Sequence, residues 1–196
     1  MVAVTDHVSD YLGRLSQSLS GISHEDIADL GQTLYRAYHA GASVFIVGNG
    51  GSASTASHMA ADLAKNTIGP HMRRFRVMSL NDNMSLLTAL ANDRGYENVF
   101  CEQLVNLIMP GDLLFAVSAS GNSPNVLRAI DYAAGCHAQT VGLLGFDGGE
   151  AIKRVDRAVL VRSEDFGVIE DAHLVLNHIL IEHFQARLAE ERQWQR

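Results

Sequence analysis

The chain has 196 residues, of which 47% are hydrophobic; this suits one folded domain and excludes a mainly disordered protein. Its formal net charge of −7, with no basic run longer than Arg73-Arg74, argues against nucleic-acid binding. The apolar runs fall far below the roughly 18 residues of a membrane span, and the first residues lack a signal pattern, so we expect a cytoplasmic protein without membrane association. Cys101 and Cys136 are too few for a disulfide framework.

Taken in chain order, the hydrophobic pattern predicts two helices first, at 6–19 and from Ser23, where Ser23 and Asp26 form a capping signal. Short apolar runs then alternate with helical periodicity. The predicted strands are 43–47, 75–80, 113–117, 140–144 and 158–162. The predicted later helices are 53–65, 84–91, 97–107, 125–134, 149–154 and 168 to about 190. Pro70 and Pro110-Gly111 fall in connections, where proline is expected.

This alternation predicts an α/β fold, in which helices cover both faces of a parallel sheet. We expect a single domain over 1–196, with N-terminal helices in 1–40 and the sheet with its covering helices in 41–196. The helices at the two ends carry more apolar surface than one small sheet can cover. The sequence therefore predicts a homo-oligomer, either a dimer or a tetramer, assembled through these helices.

Two loops have the composition of anion sites. The segment 118–123, here named the serine loop, reads Ser-Ala-Ser-Gly-Asn-Ser and joins a predicted strand to a predicted helix. The segment 48–52, here named the glycine loop, reads Gly-Asn-Gly-Gly-Ser and stands in the same position after an earlier strand. Unpaired N–H groups at a helix start attract phosphate without any lysine. Two such loops indicate a phosphorylated small molecule, although a capped helix start with incidental serines is the alternative for the serine loop.

The glycine loop also permits a nucleotide interpretation. Gly48, Gly50 and Ala53 match the spacing of the dinucleotide fingerprint. The acidic residue expected about 20 positions later is poorly matched, since Asp82 lies about 30 positions on, and no second domain remains for hydride transfer. The P-loop pattern is absent. We therefore expect no nucleotide cofactor.

Histidines and carboxylates on two predicted helices form the candidate chemistry. His58 and Asp62 are four residues apart and share one helix face. This spacing suits a surface hydrogen bond, a pair of metal ligands or an acid–base pair. The C-terminal helix adds Glu170 and His178, which are separated by about 12 Å along a straight helix. Because one chain cannot easily bring both to a single ion, a site shared between subunits is an alternative. His173 is interpreted as a packing residue.

Several motifs stand in a specific order and spacing along the chain. They are VGNGGSASTASHMAADL at 47–63, Asn92-Asp93, the serine loop, Gly148-Gly149 and IEDAHLVLNHI at 169–179. Through these motifs the chain resembles the phosphoheptose isomerases of the sugar-isomerase (SIS) domain superfamily over nearly its whole length.

The resemblance implies a flavodoxin-like single SIS domain and a homotetramer with active sites between subunits. It implies conversion of sedoheptulose 7-phosphate into D-glycero-D-manno-heptose 7-phosphate, with Asp62 and His178 as the acid–base pair. It places the substrate on Asn49, Gly50, Gly51, Ser52, Asn92, Asp93, Ser118, Ala119, Ser120, Ser123 and Glu170. Some members hold zinc, and the matching ligand positions here are His58, Asp62, Glu170 and His178.

The chain departs from the family pattern at three positions. Asp62 stands in place of a glutamate, Ala119 in place of a threonine and Glu170 in place of a glutamine. The shorter arm of Asp62 can move a proton acceptor by about 1 Å, and such a shift can cost on the order of a hundredfold in rate. The added charge of Glu170 would repel an anionic substrate unless a divalent metal neutralises it, and carboxylates are better zinc ligands than amides. These changes favour a possible Zn²⁺ site.

Aldose–ketose isomerisation needs a base, an acid and a group that stabilises the enediolate. Asp62 and His178 can supply the first two, in an order that the sequence leaves open. Two other functions stay open. One is a non-catalytic SIS-domain adaptor or sensor, which the altered residue 62 favours; the other is an isomerase of a different phosphosugar.

Overall fold

A five-stranded sheet forms the centre of the computed structural model, which describes residues 4–68 and 73–194. All neighbouring strands are parallel, in the order β2-β1-β3-β4-β5. The strands are β1 Ser43–Val47, β2 Arg76–Ser79, β3 Leu113–Ser118, β4 Gln139–Gly145 and β5 Arg157–Val161. β3, at the middle of the sheet, is buried along its whole length, as a strand covered on both faces must be. The predicted α/β fold with a doubly covered parallel sheet is confirmed.

Within the described ranges, seven α-helices surround the sheet. They are α1 Val4–Ser20, α2 His24–Ala40, α3 Gly51–Asn66, α4 Met84–Arg94, α5 Cys101–Leu107, α6 Pro124–Gly135 and α7 Phe166–Trp194. The capping signal is confirmed, because the Ser23 hydroxyl accepts a hydrogen bond from the Asp26 N–H. The expected connection at Pro70 lies outside the described residues. No helix in the part of the chain that the structure describes has the length and apolar content that crossing a bilayer requires.

One predicted helix, 97–107, is two elements in the structure. A short 3-10 turn covers Tyr96–Asn98, and α5 begins only at Cys101. Between them Val99 and Phe100 are fully buried against the sheet. Burial of these two side chains determines the local path of the chain, and helical periodicity alone does not reveal this break.

Alternating strand residues divide the core into two layers. Val44 and Ile46 of β1 pack with α2, α3 and α7, whereas Phe45 and Val47 pack with α5 and α6. α1 contributes no buried residue and lies on the outside of α7. The layer that contains α3 and α7 therefore brings the predicted histidine helices side by side.

The strand order creates a crevice between β1 and β3. The chain leaves β1 toward β2 on one side, and it leaves β3 toward β4 on the other. In parallel sheets with this order, ligands bind at the carboxyl ends of the strands where the direction reverses. The glycine loop follows β1 and the serine loop follows β3, so both flank this crevice.

Candidate functional site

The serine loop holds its hydroxyl groups with its own backbone. Ser118 Oγ accepts a hydrogen bond from the Gly121 N–H at 3.1 Å, and Ser120 Oγ accepts one from the Asn122 N–H at 3.2 Å. Each hydroxyl is thus oriented as an acceptor and retains its own hydrogen for donation. Ser123 is the N-cap of α6 and makes no side-chain cap bond. These hydroxyls are able to donate to a phosphate at the helix start.

A second turn supports the serine loop from behind. Gly121 has a φ of +63°, and a Cβ at this position would lie 2.0 Å from the Gly148 carbonyl oxygen. The Gly121 carbonyl accepts a hydrogen bond from the Ala151 N–H at 2.9 Å. Ala119 is buried, and its carbonyl accepts from the Gly145 N–H at 3.0 Å. The loop is therefore fixed by backbone contacts that only glycine permits at residue 121.

The serine loop also borders a cavity at this edge of the sheet. Its volume is about 720 Å³. The residues that line it are Ser120, Asn122, Phe146, Asp147, Arg162, Ser163, Glu164 and Phe166. Open space next to Ser120 leaves room for a ligand at the loop.

The glycine loop is tied to the opposite side of the crevice. The Asn49 and Asn125 side chains form two reciprocal amide hydrogen bonds of 2.9 Å each, and the Tyr96 hydroxyl donates to Asn49 Oδ1 at 2.8 Å. These three residues line a cavity of about 410 Å³ together with Ser123. Sequence reasoning missed Tyr96 and Asn125, because neither belongs to a motif and the fold alone brings them to Asn49.

Glu170 reaches the glycine loop from α7. A Cβ on Gly51 would lie 2.1 Å from Glu170 Oε2, so the carboxylate rests directly on the first residue of α3. A negative charge at a helix start interacts favourably with the exposed N–H groups. Ser52, in the first turn of α3, is buried. Glu170 therefore belongs to the predicted substrate-binding region around Gly50 and Gly51.

α3 and α7 run parallel and in contact. Glu170 lies against Gly51 near the start of both helices, and Gln185 Nε2 donates to the Asn66 carbonyl at 2.9 Å near the end of α3. This register places the middle of α7 against the middle of α3. His178 therefore lies next to His58 and Asp62.

His58, Asp62 and His178 come together within one chain. Asp62 Oδ2 lies 3.2 Å from His58 Nε2 and 3.9 Å from His178 Nε2. The two Nε2 atoms are 3.4 Å apart, and the rings meet edge to face. Both imidazoles are exposed, whereas the Asp62 side chain is only 15% exposed. A carboxylate and two imidazoles at the open surface can exchange protons with a ligand or bind a cation.

Two neutral amides fix the Asp62 carboxylate. Asn66 Nδ2 donates to Oδ1 at 2.9 Å, and Asn177 Nδ2 donates to Oδ2 at 2.9 Å. Asn177 is fully buried, and its Oδ1 has no hydrogen-bond partner among the described residues. Each carboxylate oxygen thus has its own donor, and sequence reasoning missed both.

The same three residues fit a zinc ion. Their ligand atoms all lie within 4.8 Å of one another. Tetrahedral zinc with ligands at about 2.1 Å requires ligand atoms separated by about 3.4 Å, close to the observed spacings. Two imidazole nitrogens and a carboxylate oxygen form a ligand set that zinc enzymes use. Glu170, eight residues before His178 and in contact with Gly51, is not part of this group.

Asn92 and Asp93 lie on the exposed helix α4, apart from this group. Asn92 Nδ2 donates to Asp93 Oδ1 at 2.7 Å, and both residues are exposed. α4 buries none of its side chains and packs mainly against the turn Tyr96–Asn98. Their role in substrate binding stays a prediction.

His173 is fully buried one turn before Asn177 on α7. Neither ring nitrogen has a hydrogen-bond partner of regular geometry among the described residues. Burial lowers the pKa of this imidazole from its ordinary value of 6.5 to about 4, opposed by the Leu144 backbone. His173 is therefore a neutral core residue at neutral pH, in agreement with its interpretation as a packing residue.

The lowered pKa of His173 predicts a loss of stability in acid. Below pH 6.5 the unfolded chain binds a proton that the folded chain does not bind until about pH 4, so the stability falls across this window. We expect about 2 kcal/mol of this loss between pH 7 and pH 5. Urea unfolding of the wild type and of His173→Leu at both pH values, at one protein concentration, measures it. The variant should lose about 2 kcal/mol less than the wild type; equal losses would contradict the assignment.

Sequence and structure comparisons identify the family. The family model described as "SIS domain" matches residues 9–145. The phosphoheptose isomerase of Mycobacterium tuberculosis is 41% identical over 164 residues, which cover 84% of this chain and 83% of that protein. The solved phosphoheptose isomerase from Neisseria gonorrhoeae is similar with a TM-score of 0.85 at 27% identity, covering 93% of this chain and 97% of that one.

A second solved structure supports the fold. The phosphoheptose isomerase from Francisella tularensis has a TM-score of 0.88 at 22% identity and covers 94% of this chain and all of that one. The structure thus has the SIS architecture, with the serine loop and the glycine loop at the crevice and the His58–Asp62–His178 group further along α3 and α7. Because the family model covers most of the chain and relatives match it over more than four fifths of their length, this chain belongs to the phosphoheptose isomerase family of SIS-domain proteins.

Proposed function

We propose that this chain is a cytoplasmic phosphoheptose isomerase that interconverts sedoheptulose 7-phosphate and D-glycero-D-manno-heptose 7-phosphate. The observation that carries the proposal is the Asp62 carboxylate held beside His58 and His178, on the helix α3 that begins at the glycine loop. The names of the relatives and solved structures supply the substrate class.

The proposed substrate site spans the crevice. The phosphate binds the hydroxyls of Ser118, Ser120 and Ser123 and the N–H groups at the start of α6, with Ala119 in the backbone of the same loop. This is supported by the oriented hydroxyls and by the open cavity beside Ser120. The sugar contacts the other predicted residues, Asn49, Gly50, Gly51, Ser52, Asn92, Asp93 and Glu170. Binding energy from the phosphate, remote from the reacting carbons, then helps to orient them.

Asp62 and His178 move the proton. One of them removes a proton from C1 of the ketose, and the electron pair forms the C1–C2 double bond. As this enediolate forms, O2 gains a proton from the other residue, which gives the enediol. Return of a proton to C2 and loss of the O1 proton give the aldose. An imidazole exchanges protons near neutral pH. The order of the two residues stays open, since both reach the same side of the α3–α7 pair.

We further propose that His58, Asp62 and His178 hold one divalent metal ion, most suitably Zn²⁺, through one ligand atom each. Because an atom bound to the metal cannot also accept a proton, proton transfer in the metal-bound enzyme uses the second carboxylate oxygen of Asp62 or the second ring nitrogen of His178. Bound zinc would polarise the substrate carbonyl and stabilise negative charge on the enediolate oxygens. Glu170 is the fourth predicted ligand. Residue 170 is about 12 Å along α7 from residue 178, and its carboxylate rests on Gly51. In one chain it therefore serves the substrate, and it would complete a metal site only from another subunit.

We also propose a homotetramer with active sites between subunits. The exposed stripe Val4, Val8 and Leu12 on α1 supports helix-mediated assembly, because these side chains recur every four residues on one face. Assembly would also place Asn92 and Asp93 of one subunit at the crevice of a neighbouring subunit.

A direct assay tests this function. Purified protein incubated with sedoheptulose 7-phosphate should form the aldoheptose 7-phosphate, and prior treatment with a chelator should lower the rate at least tenfold, with recovery on added Zn²⁺. If the chelator does not affect turnover, the proposed metal site is refuted and the proposed isomerase activity stands. Binding of the sugar without conversion would instead identify a non-catalytic SIS protein, and turnover of another phosphosugar alone would refute the heptose assignment.

A further inference from the structure

Asn177 is buried, and only one end of its side-chain amide makes a hydrogen bond within the described part of the chain. Its Nδ2 donates to Asp62 Oδ2 at 2.9 Å, whereas its Oδ1 is buried without a partner among the described residues. The orientation of the amide follows from chemistry, because an ionised carboxylate only accepts hydrogen bonds and repels an amide oxygen. The unsatisfied oxygen therefore remains on the side away from Asp62.

This arrangement costs stability. A buried polar atom without a partner loses its hydrogen bonds to water and gains none in return. A leucine of similar volume would leave no unpaired polar atom at residue 177, whose helix neighbours Leu176 and Leu180 are buried in the core. A buried amide that leaves its oxygen unpaired while its nitrogen contacts the candidate carboxylate indicates a role beyond packing.

The contacts of Asp62 show what that role is. Oδ2 is the oxygen that faces both His58 and His178, and it is also the oxygen that accepts from Asn177. Asn66 holds the other oxygen, Oδ1. An amide carries no charge and does not titrate near neutral pH, so it fixes the carboxylate without acting as an acid or a base itself.

We propose that Asn177, assisted by Asn66, is a positioning residue that aims Asp62 Oδ2 at the His58–His178 pair. The expected change in kcat rests on the proposed function. The expected change in Zn²⁺ affinity rests only on the group formed by His58, Asp62 and His178. Partners of a metal-binding or catalytic carboxylate commonly contribute about 10- to 100-fold to affinity or rate.

The test compares Asn177→Leu with the wild type. We expect kcat for sedoheptulose 7-phosphate to fall at least about tenfold and KM to change less than about threefold, because the phosphate loops are untouched. The Kd for Zn²⁺ alone, measured by calorimetry, should rise at least about tenfold. The Tm should change little, because the variant removes the unpaired oxygen together with the hydrogen bond to Asp62. In an Asp62→Asn background, Asn177→Leu should lower kcat less than twofold further, because its effect passes through Asp62.

Two further variants keep the test decisive. Asn66→Ala removes the other amide from a half-buried position at the end of α3 and should weaken Zn²⁺ binding in the same direction, even if Asn177→Leu does not fold. Gln103→Leu is the matched control, because this buried amide donates only to the Leu80 and Val99 carbonyls. It should lower the Tm and leave kcat and the Zn²⁺ affinity unchanged.

The outcomes separate this inference from the function. If the wild type turns over the heptose phosphate and Asn177→Leu keeps both kcat and Zn²⁺ affinity within twofold, the positioning role is overturned and the isomerase stands. If the wild type shows no turnover but Asn177→Leu still weakens Zn²⁺ binding tenfold, the proposed function fails and the positioning role stands.

Discussion

Asp62→Asn and His178→Ala should each lower kcat for sedoheptulose 7-phosphate by about 10²- to 10⁴-fold, the range expected for loss of a general acid or base. Both variants should fold. Asparagine keeps the shape of the aspartate but offers one acceptor oxygen to the Asn66 and Asn177 donors instead of two, so the Tm of Asp62→Asn should fall moderately. The His178 side chain is more than half exposed, so its removal leaves no cavity in the core. Steady-state kinetics together with thermal unfolding measures both effects.

The control for these variants is His183→Ala. His183 is another exposed histidine of α7, five residues after His178, and it does not belong to the group formed by His58, Asp62 and His178. Its replacement should leave kcat unchanged. Full activity in either Asp62→Asn or His178→Ala would exclude that residue from proton transfer.

Gly121→Ala should lower kcat/KM at least about a hundredfold, because misplacement of a binding loop by about 1 Å can have this effect. The new methyl group would lie 2.0 Å from the Gly148 carbonyl oxygen, which is backbone and cannot rotate away. The left-handed φ of +63° adds strain for any residue with a Cβ. The loss should appear in KM and also in kcat, because the bound phosphate helps to orient the reacting carbons.

Gly111→Ala is the control that has the backbone strain of a positive φ without a steric clash. Gly111 also has a positive φ, +87°, but its added Cβ would meet no atom within 4 Å. We expect a stability loss of about 1 kcal/mol and normal kinetics. If Gly121→Ala behaves like Gly111→Ala, the serine loop does not depend on its contact with Gly148 and its rigidity is not needed for binding.

The sequence predicted those features that depend on local pattern. The range of β1 agrees at both ends, because a continuous apolar run bounded by glycines permits little else. The rise of a straight helix is enough to separate Glu170 from His178, and the carboxylate indeed rests on Gly51, away from the histidine pair.

Features that depend on the packing of distant segments were not predictable. Asn177 and Asn66 meet Asp62 only because α3 and α7 pack in parallel with one particular register. Tyr96 reaches Asn49 because burial of Val99 and Phe100 breaks the predicted helix 97–107. No spacing in the sequence encodes these contacts.

Hydrogen exchange during turnover tests the central claim most directly. The heptose phosphate assay should be run in D₂O for many turnovers, and the products analysed by NMR. Proton transfer by Asp62 and His178 predicts deuterium at C2 of the aldose and at C1 of the recovered ketose, and Asp62→Asn should show neither. Full conversion by the wild type with no deuterium at either carbon would mean that hydrogen moves directly between C1 and C2, and would contradict the account.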